Sequence, residues 1–167
     1  IYHSLPISQQ LFLLRRQSAL LLFTTTARLH HYTYLILRLS MTVNIPIYLQ
    51  LSSNRNVALS MNWYRNAHYF EKAKAKSLMA ELLIPQFEPI FINTHICIDY
   101  KFYYKNPTSD LMNFCSLASK WLLDSLQTAG VIPNDNVRYV IEENCSVACQ
   151  DKVNPRIEAH IYQRTPQ

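Results

Sequence analysis

Two aspartates flank one amphipathic helix in the middle of the chain and could hold a divalent metal ion. Asp110 precedes the helix and Asp135 follows it, and both fall in loops beside a rigid element, where functional residues concentrate. Mg²⁺ prefers one or two carboxylates together with water and phosphate oxygens. A pair of this kind could bind one ion against a phosphodiester, which the ion would polarise while generating a nucleophilic hydroxide.

Two further charged residues, Lys120 and Asp124, lie on the polar side of the same helix. Lys120 could neutralise negative charge that develops on the phosphate, and Asp124, one turn later, could orient it. A purely structural reading stays open. In that reading Asp110 is a charge at the helix start, Asp135 is a turn residue, and Lys120 and Asp124 form a weak surface pair.

The elements that must position these residues follow from the spacing of apolar residues and, for the first helix, from its helix-forming composition and the proline that ends it. We predict four strands and two helices: a strand from Thr42 with Pro46 at a sheet edge, a loop over 51–66, a helix over 68–84, a strand over 90–105, a helix over 114–129, a strand over 137–141, a polar connection over 142–155 and a strand over 156–162. Asn113 is the expected N-cap of the second helix, and Gly130 its C′ residue. The order β-α-β-α-β-β predicts a single α/β domain (mixed α+β) with a mixed sheet and two helices.

Composition places the chain among globular proteins of about one domain. Of its 167 residues, 49% are apolar and 16% are charged, with a net charge of +5. Residues 1–40 hold four arginines and no acid, which leaves 12 basic and 11 acidic residues after Ser40. Any affinity for nucleic acid must therefore come from the local placement of lysine and arginine.

Residues 1–40 differ in composition from the rest. We expect them to be an N-terminal extension outside the domain, which would comprise residues 41–167 and start at Met41. Their arginine- and serine/threonine-rich, acid-free composition leaves an organelle transit peptide as an alternative. The longest apolar run, Ala19 to Phe23, is too short to span a membrane.

Four cysteines, Cys97, Cys115, Cys145 and Cys149, show no zinc-finger spacing. We expect free thiols in a reducing cytoplasm. A partial metal site at Cys145-x-x-x-Cys149 is the alternative.

The central stretch also resembles a known signature. Asp110-x-x-Asn113, Lys120, Asp124-Ser-Leu126 and Ala129-Gly130-Val-Ile-Pro-Asn134-Asp135 look like the motif of the RusA-type Holliday junction resolvases. The loop Asn62–His68 and the ending Asp151–Glu158 are similar to other parts of that family, so the resemblance covers residues 42–162. Met112 stands where the family usually has a second motif aspartate, and Asn134 replaces the first residue of an Asp-Asp pair.

The resemblance implies a Mg²⁺-dependent endodeoxyribonuclease that resolves Holliday junctions and other branched DNA in recombination and repair. It implies a homodimer in the cytoplasm of a bacterial or phage-infected cell, with Mn²⁺ as a substitute ion. Asp110, Asp135 and Asn113 would hold the metal, Lys120 would stabilise the transition state, and Asp124 and Asn134 would support them. The expected phosphate contacts are Arg65, Lys72, Lys76, Lys101, Lys105 and Arg138.

Further alternatives stay open. Because Met112 removes a carboxylate, the chain could be a catalytically weakened branched-DNA-binding module of the same fold. A separate alternative is a structural or interaction domain without a DNA role. Trp63 and Tyr64 could stack on bases or could anchor their loop to the core. Lys72 and Lys76, which share a helix face, could be a phosphate-facing strip or ordinary solvated surface.

Overall fold

The computed structural model describes residues 40–164, which form six strands, three α-helices and one 3₁₀ turn. In chain order these are β1 (Ser40–Pro46), β2 (Tyr48–Ser52), β3 (Arg55–Ala58), α1 (Met61–Asn66), α2 (Tyr69–Leu83), the 3₁₀ turn (Ile84–Gln86), β4 (Ile96–Tyr104), α3 (Leu111–Thr128), β5 (Val140–Gln150) and β6 (Arg156–Gln163). Apart from Ser40, the extension predicted for residues 1–40 lies outside the described residues.

Four strands form the main sheet in the order β1-β6-β4-β5, and β2 pairs with β3 in a separate hairpin. β4 runs parallel to β5 and antiparallel to β6, and β1 is antiparallel to β6. The sheet is therefore mixed, as the sequence predicted. β1 lies at one edge, where Pro46 is tolerated because its missing N–H interrupts no inner pairing.

One face of the sheet forms the core. Ile98, Tyr100 and Phe102 of β4 are buried and pair in register with the buried Ile161, Ala159 and Ile157 of β6. The buried stripes of α2 (Ala75, Met79, Leu83) and of α3 (Leu117, Trp121, Leu122) belong to the same core cluster. The opposite face carries polar residues such as Lys101 and Glu158.

Two of the sequence-based assignments are wrong. The segment assigned to a loop, 51–66, contains the end of β2, β3 and the short helix α1, whose N-cap Ser60 accepts a hydrogen bond from the Trp63 N–H. The strand over 137–141 begins at Val140 and continues to Gln150 through most of the predicted polar connection. The element order therefore contains a hairpin and a helix that β-α-β-α-β-β lacks.

The two long helices match their predictions closely. α2 covers Tyr69–Leu83, and α3 covers Leu111–Thr128, beginning three residues earlier than predicted. Gly130 adopts a φ of +70° directly after α3, which is the left-handed conformation that a C′ glycine provides. β4 is shorter than predicted, since it begins at Ile96, and its pairing with β5 is irregular at both ends.

No helix among residues 40–164 combines the length and the apolar character needed to cross a membrane.

Candidate functional site

Asp110 begins α3. Its Oδ1 accepts a hydrogen bond of 3.2 Å from the Asn113 N–H, so Asp110 is the N-cap. The prediction that Asn113 caps this helix is wrong. The carboxylate of Asp110, three residues earlier, accepts the hydrogen bond from an N–H group that has no partner within the first turn of the helix. The structural reading of Asp110 as a helix-start charge therefore holds, whatever further role the residue has.

Asn113 instead joins two motif segments that are distant in sequence. Its Oδ1 accepts a 3.0 Å hydrogen bond from the backbone N–H of Asn62, at the start of α1. The first N–H groups of α1 need an acceptor from outside the helix, and Asn113 supplies one. The N-termini of α1 and α3 consequently meet around Asp110, Asn113 and Asn62.

Asp135 is not part of this cluster. It lies in the loop between α3 and β5, residues 129–139, which we call the Asp135 loop. This loop is held near the start of β4, because the Ile92 N–H donates to the Val131 carbonyl (2.7 Å) and the Ile96 N–H donates to the Tyr139 carbonyl (2.7 Å). Within the loop, Asn134 Oδ1 accepts from the Asn136 N–H at 3.0 Å, which is an Asx turn. Asn134 is thereby a turn residue, and Asp135 is exposed beside it.

The two predicted metal ligands lie at opposite ends of α3. That helix has 18 residues, which corresponds to about 27 Å at 1.5 Å per residue. Asp110 follows the C-terminal end of β4. Asp135 lies in the loop before β5, and the start of β5 is paired with the start of β4. Asp110 and Asp135 of one chain therefore do not fit a shared Mg²⁺ ion, and residues 40–164 contain no group of three His, Cys, Asp or Glu side chains arranged to hold a metal.

Lys120 and Asp124 do not act as the predicted pair either. The carboxylate of Asp124 lies 2.8 Å from the Nζ of Lys76 on α2, so this ion pair links α2 to α3. Lys120 is exposed on α3. Asp124 therefore bridges α2 and α3 rather than orienting Lys120.

Lys72, like Lys76, contacts a side chain of the same domain. Its Nζ lies 5.2 Å from the ring centroid of Tyr64, a cation–π distance. Tyr64 in turn meets Trp121 edge to face at 6.1 Å, and Trp63 meets it at 6.3 Å. Trp63 and Tyr64 thus anchor α1 to the core, and Lys72 and Lys76 each contact another residue of the domain.

The remaining predicted phosphate contacts are scattered. Lys101 is exposed on the polar face of the sheet, away from the helices. Lys105 Nζ lies 5.4 Å from the Tyr48 ring centroid, and Arg138 is exposed in the Asp135 loop. These three residues lie in β4, in the loop after β4 and in the loop before β5, and Arg65 is exposed at the end of α1.

Positive charge concentrates in one segment that the sequence-based reading did not single out. Residues 53–76 contain five basic residues and one acid, a net charge of +4. The rest of the chain after Ser40 has seven basic and ten acidic residues, a net charge of −3. We call residues 53–76 the basic segment; it runs from the β2–β3 turn through β3 and α1 into the first half of α2. A windowed charge count would have found it.

A second polar cluster also escaped the sequence-based reading. Glu143 Oε1 on β5 accepts hydrogen bonds from the Tyr100 hydroxyl and from the Ser119 hydroxyl, both at 2.7 Å. Burial, reinforced by the neighbouring Glu143 carboxylate, raises the pKa of Tyr100 well above its usual range. Tyr100 therefore remains a neutral donor at physiological pH, and the cluster fastens β5 to α3.

All four cysteines have free thiols, as predicted. Burial raises the pKa of Cys115 far above its usual range, which keeps this thiol protonated and unreactive.

No protein-family model matches this chain, and the search of curated proteins found no match either.

Proposed function

We propose that this chain is a branched-DNA-binding protein of the RusA type that contacts four-way junctions through the basic segment. The observation that carries the proposal is the charge separation: residues 53–76 carry +4, while the rest of the chain after Ser40 carries −3. DNA affinity depends on phosphate contacts by lysine and arginine, and a local excess of this size supplies them although the domain as a whole is close to neutral.

The contact between Asn62 and Asn113 supports the RusA-type assignment. Both residues belong to segments that carry the resemblance, and they lie 51 positions apart in the chain. Their hydrogen bond brings the start of α1, within the basic segment, against the motif residue Asp110. In this proposal the motif keeps a positioning role, because it fixes the basic segment on the domain.

Two cations of the basic segment remain available for phosphate. Within residues 40–164, Arg55 pairs with Glu71 at 2.8 Å and Lys76 pairs with Asp124, whereas Arg65 and Lys74 form no ion pair. Both are exposed. We therefore assign the phosphate contacts first to Arg65 and Lys74, and a structural role to the internally bound cations.

The test is binding of a labelled synthetic four-way junction, with a linear duplex of the same arm sequence as the control. We expect tighter binding of the junction and a steep loss of affinity as salt rises. Absence of binding at low salt would refute the proposal, and equal binding of both probes would reduce it to unspecific DNA affinity.

We further propose that the chain acts as a homodimer in the cytoplasm of a bacterial or phage-infected cell. β5 is an 11-residue edge strand that is exposed along most of its length, and the unpaired groups of such an edge suit pairing with a second copy. Free thiols suit a reducing compartment. Two chains bound per junction is the stoichiometry expected in the titration.

A second candidate function is metal-dependent cleavage of the bound junction, with Mg²⁺ or Mn²⁺. One observation makes it testable: Met112, at the position where the resemblance expects a carboxylate, is 55% exposed beside the exposed Asp110, so a side chain at this position reaches solvent. A carboxylate at position 112 would thus lie at the surface next to Asp110, at a helix N-terminus that favours negative charge.

Met112→Asp should raise Mg²⁺-dependent nicking of the junction, by about tenfold or more, because one further carboxylate strengthens a weak hard-ion site. Adding Asp110→Asn should remove that gain without unfolding the domain, since asparagine is also a good N-cap. The readout is nicked product on a denaturing gel with and without Mg²⁺. Met112→Asn is the uncharged control, and Asp135→Asn, at the far end of α3, should leave nicking unchanged. Equal nicking by the wild type and all variants would show that Asp110 takes no part in cleavage.

A further inference from the structure

Three aromatic side chains cluster at the surface where α2 begins; the His68 and Phe70 rings are stacked, and the Tyr69 ring is tilted against both. The ring centroids of His68 and Phe70 are 5.3 Å apart with nearly parallel planes, and those of Tyr69 and Phe70 are 3.9 Å apart. Tyr69 is 63% exposed and Phe70 is 64% exposed. We call His68, Tyr69 and Phe70 the aromatic platform.

Core packing does not account for this exposure. The buried stripe of α2 consists of Ala75, Met79 and Leu83. Phe70 precedes Ala75 by five residues, which at 100° per residue places it well off that stripe. The N-cap interaction, in which His68 Nδ1 accepts a 3.4 Å hydrogen bond from the Phe70 N–H, holds the platform in place at the helix start.

The platform lies inside the basic segment. Lys74 is one turn after Phe70 on the same helix face, a spacing at which side chains are neighbours. Arg65 comes five residues before Phe70, at the end of α1. Glu71, the one acid of the segment, is neutralised by Arg55 at 2.8 Å. Exposed rings beside unpaired cations therefore offer a stacking surface and phosphate contacts to the same nucleotide.

We propose that the aromatic platform binds unstacked nucleobases of branched DNA, at the branch point or at an unpaired end, while Lys74 contacts the adjoining phosphate. Stacking on aromatic rings is tolerant of base identity, because every base has a π-face. This inference rests on the proposed function, and it adds a reason for structure selectivity: a linear duplex has no unstacked base to offer along its length.

The test compares the affinity of the wild-type chain and of Phe70→Ala for a synthetic four-way junction and for a linear duplex of the same arms. Loss of one stacked base should weaken junction binding by about fivefold to 150-fold and leave duplex binding nearly unchanged. Phe70→Trp should retain junction binding. Phe91→Ala is the matched control, because Phe91 is 63% exposed but lies outside the basic segment.

The outcomes separate this inference from the proposed function. If the wild-type chain binds neither probe, the proposed function and this inference fail together. If it binds the junction and Phe70→Ala binds it equally well, only the platform is overturned. If Phe70→Ala changes the sedimentation of the free protein or binds duplex and junction equally weakly, the platform is a protein contact or a structural element, which also overturns the inference.

Discussion

Trp121→Ala should lower the free energy of unfolding by about 3–5 kcal/mol, the range found for large aromatic deletions in protein cores. Trp121 is only 2% exposed and lies under both α1 aromatics, Trp63 and Tyr64. Its removal would leave a cavity and take away the surface on which α1 rests. The measurement is urea unfolding followed by circular dichroism.

Trp121→Phe is the matched control for this experiment. It keeps an aromatic ring and removes the indole N–H, which is buried and has no hydrogen-bond partner among the described residues. We expect this substitution to lower the free energy of unfolding by less than about 1.5 kcal/mol. A loss below about 1 kcal/mol for Trp121→Ala would contradict the packing described around α1.

In the double variant Arg65→Ala, Lys74→Ala, junction affinity should fall less steeply as salt rises. We expect the slope of log affinity against log salt concentration to decrease in magnitude by about 2, since each lost phosphate contact removes about one. Both residues are exposed cations without an ion pair within residues 40–164, so their replacement should not disturb the fold. Affinity is measured by fluorescence anisotropy at several salt concentrations.

Lys101→Ala, Arg138→Ala is the matched control, with one lysine and one arginine that are also exposed. Lys101 lies on the polar face of the sheet and Arg138 in the Asp135 loop, so we expect the slope to stay unchanged. Equal reductions for the two pairs would show that net charge, and not the basic segment, determines binding.

The parts of the fold with strong periodicity could be predicted from sequence. α3 is predictable because apolar residues recur at helical spacing and Gly130 ends it, whereas α2 is predictable from its helix-forming composition and from Pro85, which stops it. β5 was missed beyond Ile141 because it is an edge strand exposed on both faces over much of its length. No burial pattern is imposed on such a strand, and residues 142–150 consequently resemble a polar connection.

The sequence grouped Asp110, Asn113 and Asp135 in one candidate site, and the structure separates them. Asp110 and Asn113 lie together, but Asp135 does not join them. The reason is topological: β4 and β5 are parallel neighbours joined through α3, and in such a crossover the residues before and after the helix lie at opposite ends of the strands. Spacing along the sequence does not contain this information until the pairing of β4 with β5 is known.

The internal use of Lys72 and Lys76 could not be predicted for a related reason. Their shared helix face was correct, but the contacts that their charged ends make depend on tertiary packing. Asp124, 48 residues after Lys76, pairs with it at 2.8 Å, although the Lys76 side chain is 57% exposed.

The most direct test of the central claim is photo-crosslinking of a four-way junction to the chain, with the crosslinked peptides mapped by mass spectrometry. Binding through the basic segment predicts crosslinks within residues 53–76, centred on α1 and the first turns of α2. Crosslinks confined to the polar face of the sheet or to the Asp135 loop would contradict it, as would a junction that gives no crosslink at low salt.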